Sequence, residues 1–164
     1  MSADEKDEIL TILARDARTP LATIAAMVGR SVEAVKDEIA RYESEGIIKR
    51  YKTVIDWEKV GSEKVVAFID VKVTPARDVG FDATAARIAR FPEVQSVWLV
   101  SGGSDLRVMV ESENIRELGR FIAEKLSTIS GVGGTTTNFI LRRYKEDQVM
   151  FIETEEDQRL VVSP

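Results

Sequence analysis

Between Arg30 and Lys52 the chain sets six cations, Arg30, Lys36, Arg41, Lys49, Arg50 and Lys52, around the acids Glu33, Asp37 and Glu38. Side chains of this kind hold phosphates, and Ser31 at a helix start adds a phosphate contact through the helix N-terminus. Glu33 and Asp37 suit a different task, accepting hydrogen bonds from cytosine amino groups in a major groove. With Ala34, these residues make a candidate set for reading duplex DNA. Catalysis has less to work with. The chain contains no histidine and no cysteine, so Ser-His-Asp and Cys-His mechanisms, thiolate ligands and disulfides are all excluded. An enzyme would have to run on carboxylates, Lys, Tyr or a borrowed cofactor, and the expectation is no enzyme, no cofactor and no metal.

The composition sets the frame for those residues. A chain of 164 residues, 44% hydrophobic and 31% charged, has the make-up of a globular protein with one domain or two small ones. No run approaches the roughly 20 apolar residues of a membrane span. The start, MSADEKDE, has no basic n-region and no apolar h-region, which points to the cytoplasm. A net charge of −5 argues against a protein that coats nucleic acid indiscriminately. It leaves room for a specific binder, because the electrostatic footprint is local.

Three helices are expected to position the candidate set. Ser2 with Glu5 predicts a capping box ahead of Ile9, Ile12 and Leu13. Thr19-Pro20 predicts an N-cap with proline in the first helical position, and Leu21, Ile24, Ala25 and Val28 form one apolar stripe. Gly29 is suited to ending that helix in the left-handed conformation. Ser31 then caps a third helix, whose inward face is Val32, Val35, Ile39 and Tyr42 and whose end is Gly46. Two short helices around a glycine-containing connection have the form of a helix-turn-helix. The spacing alone fits DNA binding and fits equally a three-helix bundle packed on a neighbour. IIKRYKTVID, residues 47–56, reads as a linking strand, and DWEKVG, residues 56–61, as a turn or short helix.

Residues 65–73, VVAFIDVKV, alternate: Val65, Ala67, Ile69, Val71 and Val73 fall on one face, Asp70 and Lys72 on the other. Pro75 ends this strand. A helix over 82–91 is closed by Pro92, and strands follow at 94–100 and 105–111, joined by SGGS. Ile115, Leu118, Ile122, Leu126 and Ile129 mark a long amphipathic helix, and 135–144 is the last strand. The order is βαββαβ, so the fold class is α+β: a three-helix helix-turn-helix domain followed by a ferredoxin-like domain. Phe68, Trp98, Met109 and Phe139 are assigned to the sheet face away from the helices, which predicts burial against a second copy; the competing reading covers them with loops or tail. The boundaries are 1–48 for the helix-turn-helix, 49–62 for the linking strand and hinge, 63–145 for the ligand-binding and assembly domain, and 146–164 for the tail. The tail's acidic centre is expected in solvent, and its apolar runs VMFI and RLVVSP each suit an added edge strand or docking on a partner.

Three local patterns in this order resemble the Lrp/AsnC family of bacterial and archaeal regulators over about residues 4–145. They are GIIKRYKTVID after the reading helix, SGGSDLRVMV at the strand hairpin, and GVGGTTTNFIL at the last strand. The resemblance implies a homodimer joined through the C-terminal sheets, often built into octamers, and a small effector, usually an amino acid, bound between C-terminal domains. Carried onto this chain, the effector site falls on Gly102, Asp105, Thr135 and Thr137, with Gly103 and Ser104 at the motif's variable pair. Family members often have an acid and an aromatic at that pair. The chemistry fits: a Gly-Gly turn exposes N–H groups to a carboxylate, Asp105 can accept from an α-ammonium, and the threonine hydroxyls serve either. The plainer alternative is a tight hairpin with surface polar residues. The family also usually carries Arg or Lys where this chain has Asp37 and Glu38. The expectation is therefore specific, salt-sensitive binding to double-stranded DNA, weak for each helix-turn-helix and strengthened by assembly. A second expectation is an amino-acid-sensing oligomer that has lost DNA and works through protein partners. Related architectures that decarboxylate haem precursors are associated with histidines that this chain lacks.

Overall fold

A computed structural model describes residues 7–62, 64–74 and 80–152. The Ser2–Glu5 box, Pro75 and the RLVVSP end of the tail lie outside these residues. The chain divides into two compact units, Met1–Val54 and Ile55–Pro164.

The first unit holds α1 (Glu8–Arg15), α2 (Leu21–Val28) and α3 (Val32–Ser44). Asp7 caps α1, its Oδ1 accepting from the Ile9 N–H at 3.0 Å, which satisfies a donor that the first turn leaves without a partner. Pro20 sits one place earlier than the sequence suggests: it is the cap residue of α2 itself, in extended conformation, and its carbonyl accepts from Ile24. The Thr19 hydroxyl instead donates to the Asp16 carbonyl at 2.8 Å. Gly29 ends α2 with φ +65°, and Ser31 caps α3 two residues later by accepting from the Ala34 N–H at 3.1 Å. Ile9, Ile24, Ala25, Val35 and Tyr42 form the buried core, with Leu10, Ile12, Leu13, Val28, Ile39 and Ile48 packed around it. Leu21 and Val32, expected on the inward stripes, open their helices at the surface.

No strand forms over residues 47–56. β-favouring side chains make a strand only where a ladder partner meets their backbone groups, and within the described residues of the single chain this stretch joins no ladder. Ile47 and Ile48 instead both donate to the Tyr42 carbonyl, closing α3 past Gly46, and the Tyr51 hydroxyl donates to Glu43 at 2.8 Å. Residues 57–61 are a hydrogen-bonded turn, which Asp56 opens by accepting from the Lys59 N–H.

The second unit contains β1 (Val65–Val73), α4 (Phe81–Ile88), β2 (Val94–Leu99), β3 (Leu106–Ser112), α5 (Ile115–Arg120) and β4 (Val132–Phe139). The sheet runs β2-β3-β1-β4, with every neighbouring pair antiparallel. The alternation of β1 holds: Ala67, Ile69, Val71 and Val73 are buried against Leu106, Val108 and Val110 of β3, under Ile88, Leu118, Phe121 and Leu126 from the helical side. The long helix does not stay α-helical. It widens to a π turn over Phe121–Lys125 and tightens to a 3-10 turn over Leu126–Thr128, both of which keep an apolar residue on the core. β4 starts three residues before the expected position and stops at Phe139. VMFI adds no edge strand to the main sheet: Val149–Met150 (β6) pairs with Lys145–Glu146 (β5) in a separate hairpin.

One assignment reverses. Phe139 pairs with Ala67, and directly opposed residues share a face, so Phe139 stands on the helix-covered side of the sheet with Thr135 and Thr137. Asn138 is the β4 residue beside Phe68. The outer face therefore carries Phe68, Trp98 and Met109 without Phe139.

Candidate nucleic-acid interface and effector site

On α3, Val35 and Tyr42 face the core, and Glu33, Lys36 and Asp37 are exposed on turns that point elsewhere. Arg30, Ser31, Lys49, Arg50 and Lys52 are exposed as well, and Ala34 is half-buried. The helix start is fully assembled, because Ser31 already serves the Ala34 N–H. Arg41 differs from the other cations. Its guanidinium lies between two acids of its own helix, with Nη2 at 2.6 Å from Glu38 and Nη1 at 2.8 Å from Glu45. It also lies over the Tyr42 ring, 4.8 Å from the centroid. The hydrogen bond from Arg41 holds the Glu38 carboxyl below the usual carboxylate range, and Arg41 is in turn pushed above its ordinary value by Glu38 and Glu45. The sequence lists both partners at helical spacing, but it cannot say that one arginine takes them both.

The candidate effector residues lie at one end of the sheet. Gly102, with φ +137°, turns the backbone through a region that glycine alone enters readily. Asp105 is already committed: its Oδ2 accepts from the Val73 N–H at 2.9 Å and its own N–H donates to the Val71 carbonyl. Gly103, Ser104 and Thr135 line one open concavity together with Asp70, Lys72, Arg107, Gly134 and Thr136. Gly102, Asp105 and Thr137 do not line it. Sequence reasoning missed Asp70 and Arg107 at this place. Arg107 Nε donates to Asp70 Oδ1 at 2.8 Å, Asn138 donates to Oδ2 at 3.2 Å, and the Ser104 hydroxyl lies 3.4 Å from Oδ1. Arg107 holds the Asp70 carboxyl below its ordinary range. The signal was a pair of polar residues, Asp70 and Lys72, on the outward side of an otherwise apolar strand. The outer face thus joins an aromatic patch, with the Phe68 and Trp98 rings 6.4 Å apart, to a charged network at the mouth of the concavity.

Two sequence profiles match these two units: a winged helix-turn-helix DNA-binding domain over residues 4–49 and the Lrp/AsnC ligand binding domain over residues 66–150. The chain belongs to the Lrp/AsnC family. The uncharacterized HTH-type transcriptional regulator YugG of Bacillus subtilis is 49% identical over the full length of both chains. The HTH-type transcriptional regulator FL11 of Pyrococcus horikoshii is 32% identical over 87% of this chain and 92% of its own. Among solved structures, the leucine response regulatory protein LrpA of Mycobacterium tuberculosis superposes with a TM-score of 0.70 at 28% identity, covering 85% of this chain and 92% of that one. A feast or famine regulatory protein of M. tuberculosis, complexed with L-methionine, gives 0.69 at 28% identity over 86% and 92%. This Lrp/AsnC member is accordingly a transcription regulator that joins a helix-turn-helix DNA-binding unit to a ligand-binding unit. No described helix is long and apolar enough to cross a membrane.

Proposed function

We propose that the protein binds specific sites on double-stranded DNA as a cytoplasmic homodimer or larger assembly, and that a free amino acid controls its assembly or its DNA affinity. Residues 1–48 hold the DNA, 49–62 are the hinge, and 63–145 bind the effector and assemble. It is a regulator without catalytic activity. The observation that carries the reading is α3: a Ser31-capped helix whose Val35 and Tyr42 are buried while Lys36, Asp37 and Glu33 stay exposed beside Arg30. Arg30, Lys36, Lys49, Arg50 and Lys52 contact phosphates, and Glu33, Ala34 and Asp37 face base edges.

The effector sits at the 102–105 loop and the start of β4. The relative complexed with L-methionine supports an amino acid as its class. The Gly102–Gly103 backbone takes the carboxylate, and Asp105, Thr135 and Thr137 complete the site. Phe68, Trp98 and Met109 make the contact between subunits.

A labelled fragment of the gene's own upstream region should be retarded by the purified protein, and Lys36→Ala with Arg50→Ala should weaken that shift. Absence of retardation at low salt for every upstream fragment rejects the DNA-binding reading. A second reading, an amino-acid-sensing module acting through protein partners, draws on the double engagement of Arg41 by acids. Protein partners recovered with unshifted DNA would favour it. A thermal-shift screen against the amino acids tests the effector half, because a ligand that binds only the folded state raises the melting temperature.

A further inference from the structure

Arg41 is the cation of α3 that the fold itself pins down. Glu38 and Glu45 stand one turn before and one turn after it: Glu38 accepts from Nε and Nη2 of the guanidinium and Glu45 from Nη1. The Tyr42 ring backs the same group. A guanidinium in this posture is not presented to a phosphate, although about half of its side-chain surface is in solvent. The restraint is also easily broken: exposed ion pairs at this spacing are weak and screened by salt. A planar pair of acceptors, whether a guanine edge or the two free oxygens of a backbone phosphate, has to displace these glutamates before it can take the guanidinium fork.

We propose that Glu38 and Glu45 are positioning residues, which hold Arg41 back from the DNA backbone and so lower binding to arbitrary duplex. The inference rests on the DNA-binding reading above. The cost of carrying acids on a DNA-reading helix is then repaid as a lower background of sequence-independent binding. Discrimination, not raw affinity, fixes how a regulator is distributed over a genome of competing sites. Glu33 and Asp37 are separate from this device, since neither touches Arg41.

The test uses the full chain and a duplex of random sequence, with affinity measured across a salt series. Four proteins form the cycle: the parent, Glu38→Gln with Glu45→Gln, Arg41→Gln, and all three changes together. Relieving two weak pairs is worth about twofold each, so the double glutamine variant should bind random duplex roughly fourfold more tightly. Its log–log salt slope should steepen by about 0.9 for each recognition helix engaged. In the Arg41→Gln background both gains should disappear. If the glutamine changes help equally without Arg41, the acids act only through their own repulsion of DNA and the proposal fails. If they change neither affinity nor slope, it fails as well. If no member of the cycle binds any duplex at low salt, the DNA-binding reading falls and takes this inference with it. Far-ultraviolet circular dichroism on each variant confirms that α3 persists.

Discussion

Replacing Gly131 by alanine tests how the GVGG segment is built. Gly131 has φ +98°, which L side chains rarely adopt, and a Cβ added there would lie 2.8 Å from Thr84 Oγ1. Thr84 is fully buried beneath it, and its hydroxyl has no hydrogen-bond partner among the described residues. Gly131 is also tied down on its other side, its carbonyl accepting from the Thr74 N–H at 2.8 Å, so it cannot simply swing away. The backbone conformation should cost roughly 1–3 kcal/mol and the overpacking about 1–3 kcal/mol more. Gly131→Ala is therefore expected to lose about 2–6 kcal/mol, the sum of those two contributions. Thr84→Ala alone should be nearly neutral, because losing a buried methyl is offset by removing an unsatisfied hydroxyl. Together the two changes should recover the steric part, a coupling of about 1–3 kcal/mol, and leave the backbone part in place. Urea unfolding followed by circular dichroism, at one fixed protein concentration, reads all four proteins. A Gly131→Ala protein with an unchanged midpoint, or a double variant no better than Gly131→Ala, would refute the reasoning.

Three further outcomes follow from single contacts. Ser31→Ala removes the cap of α3 and should lower stability by about 1 kcal/mol in urea titration; Ser31→Asp should retain it. Asp70 has its folded-state pKa depressed, chiefly by Arg107, so its stabilising share is complete above the ordinary carboxylate range and fades as pH falls through the lowered value. Asp70→Asn should thus lower the urea midpoint at neutral pH and leave it nearly unchanged once Asp70 is protonated in both states; parallel acid limbs for the two proteins would contradict the assignment. Trp98→Lys should shift sedimentation equilibrium toward the single chain, with Trp57→Phe as the background in which Trp98 emission reports burial.

How much the sequence disclosed depended on how local the cause was. The β1 alternation, the Gly29 end and the Ser31 cap are each decided within a few residues, and they stand where the pattern puts them. Phe139 was misassigned because the face of a β4 residue depends on pairing with β1 some seventy positions earlier, and a bulge at Lys72/Val73 lies in that ladder. The 47–56 segment has strand-forming side chains but, among the described residues, no ladder to join, which composition cannot reveal. Asp70 and Arg107 are 37 residues apart, so their contact exists only once β1 and β3 are in register. Of the effector residues expected from the sequence, Gly103, Ser104 and Thr135 line the concavity. The sequence could not foresee that the Asp105 carboxylate would bond to the backbone of β1.

The Asp70–Arg107 pair has a consequence for anything that lies against the outer sheet. Around it are Phe68 and Met109, so a visiting surface meets grease and ions within one side-chain length. A wholly oily visitor would dehydrate the ions and give nothing back, while a wholly polar one would leave the rings wet. Sliding by two residues along β1 would set an aromatic ring where charges belong. The face therefore accepts few alignments, and an interface formed there would carry its register in that one pair.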